Sequence, residues 1–170
     1  MIDSTNNMDH ITEYLWLGNF KSANNINNLK KEGIKKILTI MDKTAPFYLK
    51  KDNFNHKIIK VSDMPTSNII RHLGECLNFI KGNEKILVHC MSGASRSASI
   101  VIAYIMWDHK KTFDDAFNFV NKIRPVAFPN FGFREQLKIF EKLLKENDYD
   151  INKIDFNNLK KYGKSIYFDW

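Results

Sequence analysis

Residues 89–97 read His-Cys-Met-Ser-Gly-Ala-Ser-Arg-Ser, a thiol and a guanidinium six positions apart with mostly small side chains between them. A loop of that make-up suits a phosphate group. Gly93 reaches backbone angles that other residues avoid, so successive N–H groups can converge on one anion. Arg96 offers a planar fork for two phosphate oxygens and stabilises charge that builds on them during transfer. Cys90 ends a buried strand and precedes a helix N-terminus, a setting that favours the thiolate as nucleophile. On this reading Met91, Ser92, Gly93, Ala94, Ser95 and Arg96 form the phosphate-binding loop. Ser97 donates to the departing sulfur, and His89 orients the loop rather than moving protons. The chemistry is phosphoryl transfer through a phosphocysteine intermediate.

Such a reaction needs an acid to protonate the leaving oxygen. Asp63 follows a strand reading at His56–Val61 and precedes Pro65, so it sits in a loop able to enter the site. Asp42 is the alternative acid, and capping of the Ile69–Ile80 helix region is the structural alternative for Asp63. Asn130, in the turn Pro129-Asn130-Phe131-Gly132, is expected to hydrogen-bond the loop of Asp63 or the catalytic loop. Phe131 and Phe133 read as core, with a substrate-facing role as the alternative. Arg124 reads as a C-terminal cap of the Phe113–Ile123 helix, with support of nearby acidic groups as the other option. Cys76 reads as a core residue, with a protective disulfide to Cys90 as its rival. No compact His/Cys/Asp cluster offers a metal site, so neither metal nor cofactor is expected.

The elements that must hold these residues alternate. Strands are predicted at Tyr14–Gly18, Ile34–Ile40, His56–Val61 and Lys85–His89. Helices are predicted at Asn24–Lys31, closed near Gly33, at Ile69–Ile80 from the spacing of Ile70, Leu73, Leu77 and Ile80, and at Arg96–His109, Phe113–Ile123 and Phe131–Lys145. Asp42–Asn55 reads as loop. This order predicts an α/β domain.

The chain has 170 residues, 26 basic against 19 acidic, and a formal charge of +7. That length suits one compact domain, and the positive field steers anionic substrates or simply aids solubility. Two cysteines exclude a disulfide framework and a four-thiolate zinc site. The opening MIDSTNNMDH lacks the apolar core of a signal peptide, and no stretch is apolar for long enough to span a bilayer. A reducing compartment, cytoplasmic with the nucleus as a further possibility, is expected.

The run Cys-x-x-x-x-x-Arg matches the signature of cysteine-dependent protein tyrosine phosphatases. More narrowly, the chain resembles the dual-specificity protein phosphatases. The resemblance rests on Leu15-Trp16-Leu17-Gly18, Val88-His89-Cys90 with Gly93-Ala94-Ser95-Arg96-Ser97, Ala103-Tyr104-Ile105-Met106, Arg124-Pro125, and Pro129-Asn130-Phe131-Gly132-Phe133 with Gln136-Leu137. Val61-Ser62-Asp63 matches the family's general acid. The resemblance covers residues 10–145, leaving 1–9 as a loose lead-in and 146–170 as a tail packed on the domain. It implies a mixed, mostly parallel sheet flanked by helices, and hydrolysis of phosphotyrosine and phosphoserine/phosphothreonine in proteins. Signalling kinases or transcription factors are the expected partners, with no stably bound nucleic acid. An inositol phospholipid or RNA 5′-phosphate is the alternative substrate, and a non-catalytic phospho-binding module is the alternative class. The loop lacks the lysines of the inositol-lipid relatives and the histidine of the RNA relatives. Leu17-Gly18-Asn19-Phe20 and Thr39-Ile40-Met41-Asp42-Lys43 also resemble the poxviral member, which implies a viral source and the host cytoplasm.

Overall fold

The structure is a computed structural model that describes residues 7–42 and 54–159. Five strands, β1 (Met8–Thr12), β2 (Leu15–Gly18), β3 (Lys36–Ile40), β4 (Asn55–Ile59) and β5 (Ile86–His89), form one sheet in the order β1-β2-β5-β3-β4. The β1–β2 pair is antiparallel and the other pairs are parallel. This is the mixed, mostly parallel sheet expected from the alternating elements. β5 lies at its centre, and Ile86, Leu87 and Val88 are all buried because both faces of the sheet are covered.

Neighbouring residues on a strand point to opposite faces, and the core divides accordingly. Trp16, Ile37 and Leu87 pack with Ala23 and Leu29 of two short helices, α1 (Phe20–Asn24) and α2 (Ile26–Glu32). Leu15, Leu17, Leu38, Ile40, Ile86 and Val88 pack into the larger cluster on the other face. That side is covered by α3 (Leu73–Ile80), α4 (Arg96–Asp108), α5 (Phe113–Ile123) and α6 (Phe131–Glu146). α4 is buried from Arg96 through Met106. Other helices flank it, so it has no wide polar face.

Several elements differ from the expectation. Residues 1–9 were read as a loose lead-in, yet Met8 and Asp9 belong to β1, an edge strand on which His10 stacks against Trp16 at 4.2 Å. Its five residues alternate too weakly for periodicity to reveal. The helix expected at Asn24–Lys31 is α2, and α1, just before it, was not expected. Asn19 caps α1 by accepting from the Ser22 N–H, and Asn25 breaks the run and caps α2 by accepting from Asn28. Gly33 closes α2 at φ +76°.

Phe131 was expected in the core with Phe133. Phe133 is fully buried, but Phe131 is 64 % exposed. Asn130 caps α6 by accepting from the Phe133 N–H, and Gly132 presses on Pro65, whose carbonyl oxygen would lie 1.8 Å from an added Cβ. The first turn of α6 is thus docked through residues 132 and 133, and Phe131 faces out.

Beyond α6, Ile151, Ile154 and Leu159 are buried, Phe156 packs on Gly74 and near Phe140, and the Trp107 indole N–H donates to the Tyr149 carbonyl at 2.9 Å. Lys50-Lys51 and the basic and aromatic stretch from Lys160 lie outside the described residues. Among the described residues no helix is long and apolar enough to cross a membrane.

Candidate active site

β5 delivers His89 and Cys90 at the carboxyl ends of the parallel strands, the usual place for a ligand crevice in such sheets. The chain then turns through residues 91–95 into α4. Gly93 has φ +69°, and a Cβ there would lie 2.5 Å from the Gly18 carbonyl oxygen and 2.7 Å from Arg124 Nη2. Both conformation and space therefore demand glycine. The Gly93 N–H donates to Cys90 Sγ at 3.3 Å and the Ser97 hydroxyl donates to it at 3.1 Å. Cys90 is 1 % exposed. Two donors thus converge on the sulfur, one from the loop and one from the first turn of α4.

Arg96 is buried, with Nη1 donating to the Val61 carbonyl at 3.3 Å and lying 3.4 Å from Asp42 Oδ1. Its Nε is buried and has no partner among the described residues, so a donor remains available to an oxyanion in the loop. Asp42, the alternative acid, is engaged with this guanidinium. The Met91 carbonyl accepts from the Phe20 N–H at 3.1 Å, which ties the loop to α1.

Asp63 joins the site through the loop itself. Its Oδ1 accepts from the Ser95 hydroxyl at 2.6 Å and from the Asn130 side-chain amide at 2.9 Å. The Asn130 N–H donates in turn to Ser95 Oγ at 3.0 Å. Oδ1 takes two donors, so a proton carried by this carboxyl belongs on Oδ2. The capping alternative for Asp63 fails on the same map. The free N–H groups of Ile69 and Ile70 donate to Gln136 Oε1 at 2.9 and 3.0 Å. Asn130 contacts both partners proposed for it, the acid and the catalytic loop. Ser95, read only as part of the phosphate loop, links the two.

Behind the loop lies a hydrogen-bond chain that the sequence reading did not find. His89 Nδ1 is 3.2 Å from the Cys90 carbonyl, and its Nε2 is 2.7 Å from Thr39 Oγ1, which is 2.8 Å from His56 Nε2. The carbonyl can only accept, so Nδ1 carries the His89 proton. Burial in the apolar interior lowers the His89 pKa to about 4, with the Cys90 carbonyl opposing and His56 adding to the shift, so the ring is neutral near pH 7 and Nε2 accepts. Thr39 must donate to it, and must accept from His56 Nε2–H. The direction of the chain is fixed: His56 to Thr39 to His89 to the backbone of Cys90. The strand register supplies it, with Thr39 opposite His89 on one side, and neither residue is adjacent to the other in sequence.

Arg124 was read as a helix cap. Its N–H does bond the Val120 carbonyl at the end of α5; its side chain takes up the other option, an acidic partner, and adds the catalytic loop. The guanidinium donates to the Gly93 carbonyl at 3.0 Å, the Ser92 carbonyl at 3.2 Å and Asp9 Oδ2 at 2.6 Å. A trans peptide puts C=O and N–H on opposite sides. Holding the Ser92 carbonyl outward therefore turns the Gly93 N–H toward Cys90. Asp9 balances the buried charge. Cys76 is fully buried in the main core; burial first, and the Glu75 charge second, push its thiol up and out of reactive range.

Known proteins are similar to this chain in sequence and in fold. The family model described as dual specificity phosphatase, catalytic domain, matches residues 15–143. The chain is 38% identical over 141 residues to human dual specificity protein phosphatase 22, covering 81% of this chain and 75% of that protein. It is 37% identical over 142 residues to dual specificity protein phosphatase 1 of Arabidopsis thaliana, covering 81% and 71% respectively. Among solved structures, the human tyrosine phosphatase-like serine/threonine/tyrosine-interacting protein superposes with a TM-score of 0.76 at 34% identity, covering 81% of this chain and 97% of that one.

Proposed function

The chain belongs to the dual specificity phosphatase family, and we propose that Cys90, Arg96, Asp63 and Ser97 carry out its reaction. It is a cysteine-dependent phosphatase of phosphotyrosine and phosphoserine/phosphothreonine in proteins. In the proposed first step the Cys90 thiolate attacks phosphorus, the ester P–O bond breaks, and the leaving oxygen takes the proton from Asp63 Oδ2. In the second, water attacks the phosphocysteine, gives its proton to Asp63, and the S–P bond breaks with the pair returning to sulfur. The Ser97 hydroxyl, 3.1 Å away, donates to that sulfur as charge returns. Arg96 and the inward N–H groups stabilise the equatorial oxygens through both steps. Asn130 and Ser95 are positioning residues for Asp63, and His89 and Arg124 for the loop.

One observation supports this reading most. The loop and the first turn of α4 each place a donor on Cys90, and the same loop binds the Asp63 carboxylate through Ser95, so nucleophile and acid share one frame. The test compares hydrolysis of an aryl phosphate, a phosphotyrosine peptide and a phosphothreonine peptide by wild type and Cys90→Ser. All three are expected to be hydrolysed by wild type, with a loss of roughly 10⁶-fold in the variant. Undiminished turnover in Cys90→Ser overturns covalent catalysis.

The residues between Cys90 and Arg96 include no lysine, which favours protein over inositol-lipid substrates. A second reading, a binding module, has the name of one structural neighbour, an interacting protein, on its side. Against it stands a complete nucleophile, acid and guanidinium in this chain. The substrates proposed are phosphorylated signalling proteins, kinases and transcription factors among them. Two free cysteines, one of them the nucleophile, fit work in a reducing compartment such as the cytoplasm.

A further inference from the structure

Among the described residues the large apolar side chains that stand exposed are Ile58, Met64, Met91, Val126, Phe128 and Phe131. Ile58 aside, all belong to the segments that frame the catalytic loop. Met64 follows the acid, Met91 follows the nucleophile, Val126 and Phe128 lie in the connection from α5 to α6, and Phe131 opens α6. Scattered exposed apolar residues need no explanation, but a group concentrated around one site does.

The connection is seated on the catalytic loop. The Phe128 N–H donates to the Ala94 carbonyl at 2.7 Å, and Phe131 is the covalent neighbour of Asn130. Phe128 meets the edge of Phe117 at 5.7 Å, and the Arg134 guanidinium lies 4.8 Å from its ring centroid. Beside them runs an open groove of about 240 Å³, lined by Phe113, Phe117, Phe131, Arg134 and others. That is below the roughly 300–1,000 Å³ of a small-molecule site. Its charges, Asp114 and Glu135 against Arg134 and Lys138, balance, so it selects neither acidic nor basic groups. Arg134 Nε is buried with no partner among the described residues.

We propose that Phe128, Phe131 and this groove are a specificity site for an apolar or aromatic side chain on the substrate polypeptide, flanking the phosphorylated residue. The proposal rests on the protein-phosphatase reading and deepens it. One Cα step separates Phe131 from Asn130, which bonds the acid. An extended chain advances about 3.3–3.6 Å per residue, so the side chain received lies within a few residues of the phosphate-bearing one.

The test is a set of phosphopeptides on one scaffold, with Phe, Leu, Ser or Glu at each flanking position in turn. Wild type is expected to show a kcat/KM roughly tenfold higher for Phe or Leu than for Ser or Glu at one or two positions. Phe131→Ser and Phe128→Ser are expected to flatten that preference while leaving hydrolysis of a small aryl phosphate unchanged. A flat wild-type profile overturns the proposal, as does a preference that survives in both variants. Loss of aryl phosphate hydrolysis in Phe131→Ser also overturns it, because the ring would then act only through Asn130. So does a concentration-dependent dimer, abolished by Phe131→Ser, that inhibits turnover: the patch would then be covered by a second copy. Failure of wild type on every phosphate ester would instead defeat the phosphatase reading itself.

Discussion

Beneath the phosphate site the groups are polar, buried and tied, with Arg124 holding two loop carbonyls, Thr39 linking two histidines and Ser95 bridging acid and loop. A few residues away, from Val126 to Phe131, the exposed side chains are apolar, and the hydrogen bonds run through the backbone, Asn121 and Asn130 instead. The two regions differ because they meet different parts of a substrate. The floor sees a phosphoryl group, the same in every ester, and needs fixed donors before the reaction begins. The rim sees whatever polypeptide carries it, and apolar exposed surface is the material of recognition. Substitutions in the floor should therefore cost rate on every substrate, whereas those in the rim should alter choice among substrates.

The largest effect below the nucleophile itself is expected for Asp63→Ala. Proton transfer contributes about 10²–10⁴-fold, and the loss should be greatest for esters with poor leaving groups. Rates on a series of aryl phosphates check this. A uniform loss across the series would move Asp63 from the acid's role to a merely structural one.

Next is the pH dependence of stability set by His89. The unfolded ring titrates near 6.5, and the folded one at about 4. Between those limits the unfolded chain binds a proton that the folded protein excludes. Stability is present in full above the unfolded value and is lost as pH falls toward about 4, by about 3 kcal/mol from this ring. Denaturant unfolding across that window should show a steeper decline in wild type than in His89→Asn, whose amide still donates to the Cys90 carbonyl. Parallel curves would remove burial of His89 as the cause.

The smallest effect is expected from Thr39→Val, nearly isosteric but without the hydroxyl. It leaves His89 Nε2 buried and unpaired, at about 1–3 kcal/mol of stability by denaturant unfolding. The same variant should lower kcat on every phosphopeptide by a similar factor. A change in peptide preference would breach the division between floor and rim.

The run from His89 to Ser97 was legible because glycine, arginine and small side chains at fixed spacing have few other uses. Asp63 was legible from its place after a strand and from family resemblance. Arg124 was visible as a residue but not as the brace of the loop. Its partners are Ser92, Gly93 and Asp9, brought to it from distant parts of the chain. Thr39 and His56 carried no signal at all, since a threonine and a histidine in two strands look like ordinary sheet residues. Phe131 misled for a related reason. Its aromatic ring reads as core by type, and only the contact of Gly132 with Pro65 turns it outward.

Local spacing pointed to the proposed nucleophile and anion loop and gave the alternation of strands and helices and the Gly33 cap, because these depend on the conformational limits of residues next to one another. Strand order, the direction of the His56–Thr39–His89 chain, the bracing by Arg124 and the exposure of the aromatic rim were decided by the packed tertiary structure. Each joins residues far apart along the chain, and a hydrogen bond or a close backbone approach between them exists only once the sheet has set their register and the helices have closed over it.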